Sequence, residues 1–449
     1  MGETSDSAEL RAGLARALAR TGLPPPEGLT RLTGGATMES WRFQAGDGAY
    51  VLRRAPSLAF MADRPFGHDT EAAIIRAAHG AGVTAPEVMV ELAPEDAIGS
   101  GFVMRALPGT PDPGAILAME RPGELLSQCA RDLARIHALD AEALPADIPE
   151  MDYAEALEGL RVQFAEAGGD RPIIALGLKW LGDHLPARAE PVLVHGDYRL
   201  GNILAQDGAL TGVLDWELAH RGDRHEDLAF ACMTVWRFAR IDRPALGLGS
   251  LDEWFAAYEA ESGVTVDRDR FRYWLVYRTV WWALGCLRMA KVWREGHDRM
   301  LERVVISRRT SEQELDLLLL LEEEAPQAER DRPLPPETSV AQCEGEASTG
   351  EIATAIAEFL ATVKDRMEGH DRFQLAVARN ALGMIAREEA AGVAVADREL
   401  AQALLAGTRD LAEPGLLARL RRAALGKLAA DIPKYPALAA ATAQWTGES

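Results

Sequence analysis

Residues 192–204 read VLVHGDYRLGNIL, and residues 212–219 read GVLDWELA. The first stretch opens with apolar, β-branched residues and breaks at His195-Gly196-Asp197, so a short strand delivers an aspartate into a loop. Asn202 lies five residues beyond Asp197. Asn202–Gln206 and Leu210–Leu214 predict a hairpin across Asp207-Gly208, which leaves Asp215 at the end of an apolar strand. Phosphoryl transfer needs such parts. One carboxylate accepts or orients a hydroxyl proton, and two oxygen ligands fix Mg2+ on the β- and γ-phosphates.

Working toward the N-terminus, residues 9–20 have helical spacing and end before Gly22 and the Pro24-Pro25-Pro26 run. Met38–Gln44 alternates like a half-buried strand, Gly46-Asp47-Gly48 supplies a turn, and Tyr50–Arg54 returns as a strand. A helix is expected from His68 to about Ala78, stopped by Gly80 and Gly82, followed by strands at Val88–Leu92 and Gly101–Ala106. That order describes a small α+β lobe. From Arg121 the chain turns helical, with Leu125, Cys129, Leu133 and Ile136 on one face, and stays mainly helical to about Leu321. Residues 322–350 are rich in Glu, Pro, Ser and Gly without an apolar period, the composition of an exposed linker. Beyond them, three or four amphipathic helices are expected over 351–445, with Asn380 capping or cross-linking.

The 449 residues allow two or three domains, and 48% hydrophobic with 26% charged residues is ordinary for a globular chain. A net charge of −21 argues against a nucleic-acid binder, which needs a basic face. Cys129, Cys232, Cys286 and Cys343 are far apart, without CxxC spacing, so a reducing cytoplasm is the expected setting. No signal peptide is expected, and Trp274–Ala290, interrupted by Arg278 and Arg288, reads as a buried helix instead of a membrane span. Lysine is scarce: only Lys179, Lys291, Lys364, Lys427 and Lys434 occur, and arginine carries nearly all positive charge.

The Asp-x4-Asn spacing followed by a strand-borne Asp matches the protein-kinase layout, with HGD where protein kinases have HRD and DWE in place of DFG. That combination resembles the aminoglycoside phosphotransferase and choline-kinase-like family over roughly residues 28–310. The resemblance implies a two-lobed, protein-kinase-like α+β fold. Its N-lobe is residues 1–107 and its C-lobe 108–321; the linker 322–350 and a small all-α accessory domain, 351–449, follow.

By resemblance Asp197 is the catalytic base, Asn202 and Asp215 are the magnesium ligands, and His195 braces the loop. Glu217 is either a helper of metal or acceptor or a solvated strand end, and Asp227 anchors the catalytic loop. Gly34 and Gly35, in LTGGATMESWRF, let backbone N–H groups approach the phosphates. The family has a strand lysine here, paired with a helix glutamate; Arg53 stands in its place and Glu71 is the matching carboxylate. Val103, Met104 and Arg105 read as the connection whose backbone meets the adenine edge.

The implied cofactors are ATP, with GTP as the alternative, and Mg2+. The implied acceptor is a small hydroxyl compound, and the expected partners include neither nucleic acid nor membrane. YVLRRAP, together with the two motifs, looks closest to kinase domains fused to acyl-CoA dehydrogenases, which implies a hydroxyacyl or similar anionic acceptor. Trp236, Arg237, Trp274, Arg278, Trp281, Trp282 and Arg288 are the candidate acceptor-side residues, though such spacing also suits a helix core. The C-terminal helices resemble small domains of unknown function found beside such phosphotransferases, with a homodimer or protein partner as their expected role. The rival reading is a nucleotide-binding pseudokinase scaffold, favoured by the missing lysine.

Overall fold

The computed structural model describes residues 5–32, 38–56, 64–336, 347–392 and 395–447. They fall into two compact units. The first comprises residues 1–152, 188–232 and 242–271; the second comprises 153–187, 233–241 and 272–449.

The first unit opens with a helix, Ser5–Ala19, and a five-stranded antiparallel sheet. Its strands are β1 (Glu27–Arg31), β2 (Glu39–Ala45), β3 (Gly48–Ala55), β4 (Val88–Glu91) and β5 (Ser100–Arg105), in the order β1-β2-β3-β5-β4. Alternation along β3 decides the lobe. Tyr50 and Leu52 face inward onto Leu10, Leu14, Leu18 and Phe43, while Val51 and Arg53 point to the other face. The helix His68–Gly80 follows and carries Glu71 at a buried position.

The remaining part of this unit holds the helices Pro122–His137 and Leu251–Ser262, which pack together, and two small ribbons. Strand β6 (Val192–Val194) pairs with β9 (His220–Gly222), and β7 (Ile203–Gln206) pairs with β8 (Ala209–Val213). β1 and β9 are additions to the sequence reading. β1 is almost wholly exposed, so no apolar alternation marks it, and β9 is only His-Arg-Gly.

The second unit is helical. The helix Thr310–Leu321 packs on Leu416–Asp431, and Pro172–Asp183 packs on Arg398–Leu405. Among the described residues five helices, not three or four, follow residue 348. Asn380 is exposed, so it does not cross-link helices. The acidic stretch expected to be a linker starts inside this unit. Glu322 accepts hydrogen bonds from Arg421 Nη2 at 2.7 Å and Trp445 Nε1 at 2.8 Å, and Gln327–Arg330 is a short helix. Composition alone missed this because the partners lie about a hundred residues downstream. Residues 337–346 lie outside the described residues.

Candidate active site

Strand β6 brings His195, Gly196 and Asp197 out of the sheet at one end of the first unit. The turn is feasible only because residue 196 is glycine: its φ is +80°, and a Cβ there would sit 2.4 Å from the Leu218 carbonyl oxygen. Asp227, fully buried, accepts the backbone N–H groups of His195 at 2.7 Å and Gly196 at 2.9 Å. His137 Nε2 stands 3.1 Å from the same carboxylate. Burial raises the Asp227 pKa, but the His137 and backbone contacts outweigh it and hold the group below its ordinary value. His195 is itself fully buried against Trp216, with its pKa lowered by burial, and its Nδ1 accepts the Asp197 N–H at 3.2 Å. It braces the loop.

Asp197 faces Asn202 and Arg199. Asn202 Nδ2 donates to the Asp197 carbonyl at 3.0 Å and to Oδ2 at 2.5 Å, which leaves the amide oxygen as Asn202's donor atom for a cation. Arg199 Nε donates to Asp197 Oδ1 at 2.8 Å. Burial pushes the Asp197 carboxyl up to about 6, against the pull of Arg199. Arg199 escaped the sequence reading although it lies only two residues from Asp197. Asp215 follows β8 in the left-handed region, φ +69°, a conformation that costs an L-residue energy.

Arg53 unites the strand, helix and hairpin parts. Its Nε lies 3.2 Å from Glu71 Oε1, and its Nη2 lies 2.7 Å from both Asp215 Oδ1 and Glu217 Oε2. Burial disfavours its charge, yet Glu71, Asp215 and Glu217 together raise its pKa above the ordinary value. Glu71 is raised by burial, opposed by Arg53 and Arg64. Glu217 is not a solvated strand end: it is held by both arginines. Arg54 turns away from this cluster, toward Glu39 Oε2 at 2.9 Å and the Ile98 carbonyl at 2.9 Å.

A cleft of about 400 Å3 opens beside these groups, lined by Val51, Arg53, Phe102, Met104, Asn202 and Asp215 among others. The adenine-edge assignment needs a correction. Val103 and Met104 are inside β5, paired to β3 on one side and β4 on the other, and the Arg105 N–H donates to Glu87 O at 2.8 Å. Their backbone groups are committed to the sheet. Ala106 and Leu107, just past the strand, line the cleft, as do Met104 and Arg105 by their side chains. Gly34 and Gly35 lie outside the described residues.

In the second unit Trp274 is core, edge-on to Tyr153 and Tyr277. Trp236 and Trp282 stand 5.3 Å apart, and the Arg278 guanidinium lies 4.8 Å from the Trp281 ring centre.

The sequence profile of the phosphotransferase enzyme family matches residues 28–272, more than half of the chain. The chain belongs to that family. It has a protein-kinase-like N-lobe and a mainly helical body. Acyl-CoA dehydrogenase family member 10 of Mus musculus is 28% identical over 260 residues, 53% of this chain and 24% of that protein. Family member 11 of Gallus gallus is 31% identical over 229 residues, 48% of this chain and 29% of that protein. The chain thus spans only about a quarter of the length of these relatives. A solved Ralstonia eutropha JMP134 chain, named for an aminoglycoside phosphotransferase, shares the fold with a TM-score of 0.56 at 20% identity. The match covers 69% of this chain and 98% of that one. Residues 365–435 match a domain of unknown function, DUF6285. Among the described residues, no phosphotransferase helix is long and apolar enough to cross a membrane.

Proposed function

We propose that Asp197 is the base, Asn202 and Asp215 hold Mg2+, and Arg53, steadied by Glu71, grips the phosphates of ATP. The observation that carries this reading is the Arg53 guanidinium, lying 2.7 Å from Asp215 Oδ1 and Glu217 Oε2. A cation already occupies a nest of hard oxygen donors, and the Asp215 carboxylate with the Asn202 amide oxygen suits Mg2+. When bound, Mg2+ would neutralise charge on the β- and γ-phosphate oxygens.

The acceptor hydroxyl gives its proton to an Asp197 carboxylate oxygen as its oxygen bonds to the γ-phosphorus. The bond from that phosphorus to the bridging oxygen breaks, ADP leaves with the electron pair, and Arg53 neutralises the departing diphosphate. Leu107, beyond the last sheet pairing of Ala106 N–H to the Ala49 carbonyl, meets the adenine edge. The acceptor is of hydroxyacyl or related anionic type, a reading supported by the likeness to acyl-CoA dehydrogenase family members 10 and 11. The setting is cytoplasmic, in keeping with the buried free thiols of Cys129, Cys232 and Cys286. The C-terminal helices serve association, supported by Ile352, Ile356 and Phe359, exposed at one-turn spacings along one helix.

A panel of hydroxy acids, hydroxyacyl thioesters, sugars and amino alcohols with γ-labelled ATP and Mg2+ tests the reading. Label transfer to a hydroxyacyl compound, lost in Asp197→Asn, is the expected result. Nucleotide binding without transfer to any of them would favour the scaffold reading, which the lysine-free first unit motivates.

A further inference from the structure

A second arginine stands against the same carboxylates. Arg64 reaches the cluster from the segment just before the His68–Gly80 helix, and its side chain is 11% exposed. Its Nη2 donates to Glu217 Oε2 at 2.7 Å, and its Nη1 lies 3.4 Å from Glu71 Oε2. Arg53 takes the other Glu71 oxygen and shares Glu217 Oε2. Two guanidinium groups and three carboxylates therefore form one cluster. Glu71 and Glu217 each touch both arginines, whereas among the described residues Asp215 pairs with Arg53 and not with Arg64.

That asymmetry has a chemical consequence once Asp215 is read as a metal ligand, on which this inference rests. A divalent cation held by Asp215 would offset that carboxylate's charge and repel the Arg53 guanidinium beside it, which loosens Arg53 from Asp215 as it turns to phosphate. If Glu217 had no other cation, it would hold Arg53 back and present an unneutralised carboxylate to a highly charged nucleotide. Arg64 is bonded to the two carboxylates that stay behind and not to the one that is vacated.

We propose that Arg64 is a positioning residue for the phosphoryl donor: it neutralises Glu217 and Glu71, so that Arg53 is released to the triphosphate. Arg64 itself needs no contact with the nucleotide. The effect is transmitted through Glu217, and this gives the proposal a signature that a merely structural arginine lacks.

The test is binding of AMP-PNP by calorimetry, in EDTA and separately with excess Mg2+, using the full chain. Arg64→Ala should weaken metal-free binding about tenfold, the scale of one charge-assisted contact. Glu217→Gln in the Arg64→Ala background should restore it to within about twofold of wild type. Arg64→Gln, closer in shape, should repeat the loss, and thermal melts check that each variant is folded. If Arg64→Ala or Arg64→Gln binds like wild type, the proposal is overturned. If binding weakens and Glu217→Gln does not restore it, Arg64 acts on the phosphate directly and the relay through Glu217 is overturned. Absence of AMP-PNP binding in wild type, with or without Mg2+, would instead remove the donor-site reading on which the proposal stands.

Discussion

Arg199 Nε lies 2.8 Å from Asp197 Oδ1, so the residue assigned as base carries its own counter-ion. Burial pushes the Asp197 carboxyl up to about 6 despite that guanidinium. A base must be ionised to accept a proton, so kcat/KM should rise with pH through about 6 and level off above it. Removing the counter-ion in Arg199→Ala should move this acidic limb to higher pH. A limb that stays in place, or moves down, would show that Arg199 does not set the charge of Asp197. The pH dependence of kcat/KM measured on both proteins decides the matter.

Arg53 and Arg54 are neighbours in β3 with opposite fates. Arg53→Ala should raise the ATP requirement and depress turnover by roughly ten- to a hundredfold, the equivalent of about 1.5–3 kcal/mol for one lost charge-assisted contact. Arg54→Ala loses contacts to Glu39 and the Ile98 carbonyl, and should lower thermal stability while changing the ATP constant little. Steady-state kinetics with melting curves on the two variants separates these outcomes. Damage to the ATP constant in Arg54→Ala alone would reverse the face assignment.

Asp316 makes the second unit pH-sensitive. Burial pushes its carboxyl up to about 7, against the Tyr435 hydroxyl, which donates to it at 2.6 Å. In the unfolded chain the group returns to its ordinary value near 3.8. Between those values, rising pH ionises the unfolded chain first, so folding stability falls with pH and is lowest above about 7. Asp316→Asn keeps an acceptor for Tyr435 and has no proton to lose. It should be less destabilised than wild type on going from acid to mildly alkaline buffer, as read by urea unfolding. An unchanged slope would count against Asp316 as its source.

Glu322→Ala should destabilise the helical unit by about 3–5 kcal/mol, because it leaves the Arg421 guanidinium buried without its carboxylate. Glu323→Ala, one residue on, has a more exposed carboxylate and should cost under about 1 kcal/mol. Denaturant titration of both variants checks the contrast, and equal effects would refute it.

The parts of the site that were legible in sequence are those whose geometry is local. Asp197 and Asn202 share one loop, Asp215 ends one hairpin, and strand alternation alone separates Arg53 from Arg54. Arg64 had no such signal, since its partner Glu217 is 153 residues away. The same holds for Glu322 and Arg421, separated by 99 residues. Val103, Met104 and Arg105 were read as a connection although they lie within β5, because apolar content does not mark where that strand stops pairing. The α+β lobe followed from the order of elements and the two-lobed class from the family resemblance, whereas β1 and β9 were too polar or too short to carry a period.

All five lysines lie outside the first unit, in residues 179, 291, 364, 427 and 434. No lysine is among the described residues that line the cleft proposed for the nucleotide. Acyl-phosphate derivatives of ATP, which tag kinases by acylating a lysine beside the phosphates, should find no lysine there. Dicarbonyl reagents that condense with guanidinium groups are the matching chemistry, and ATP should protect against them. An inventory built on amine capture would pass over this protein.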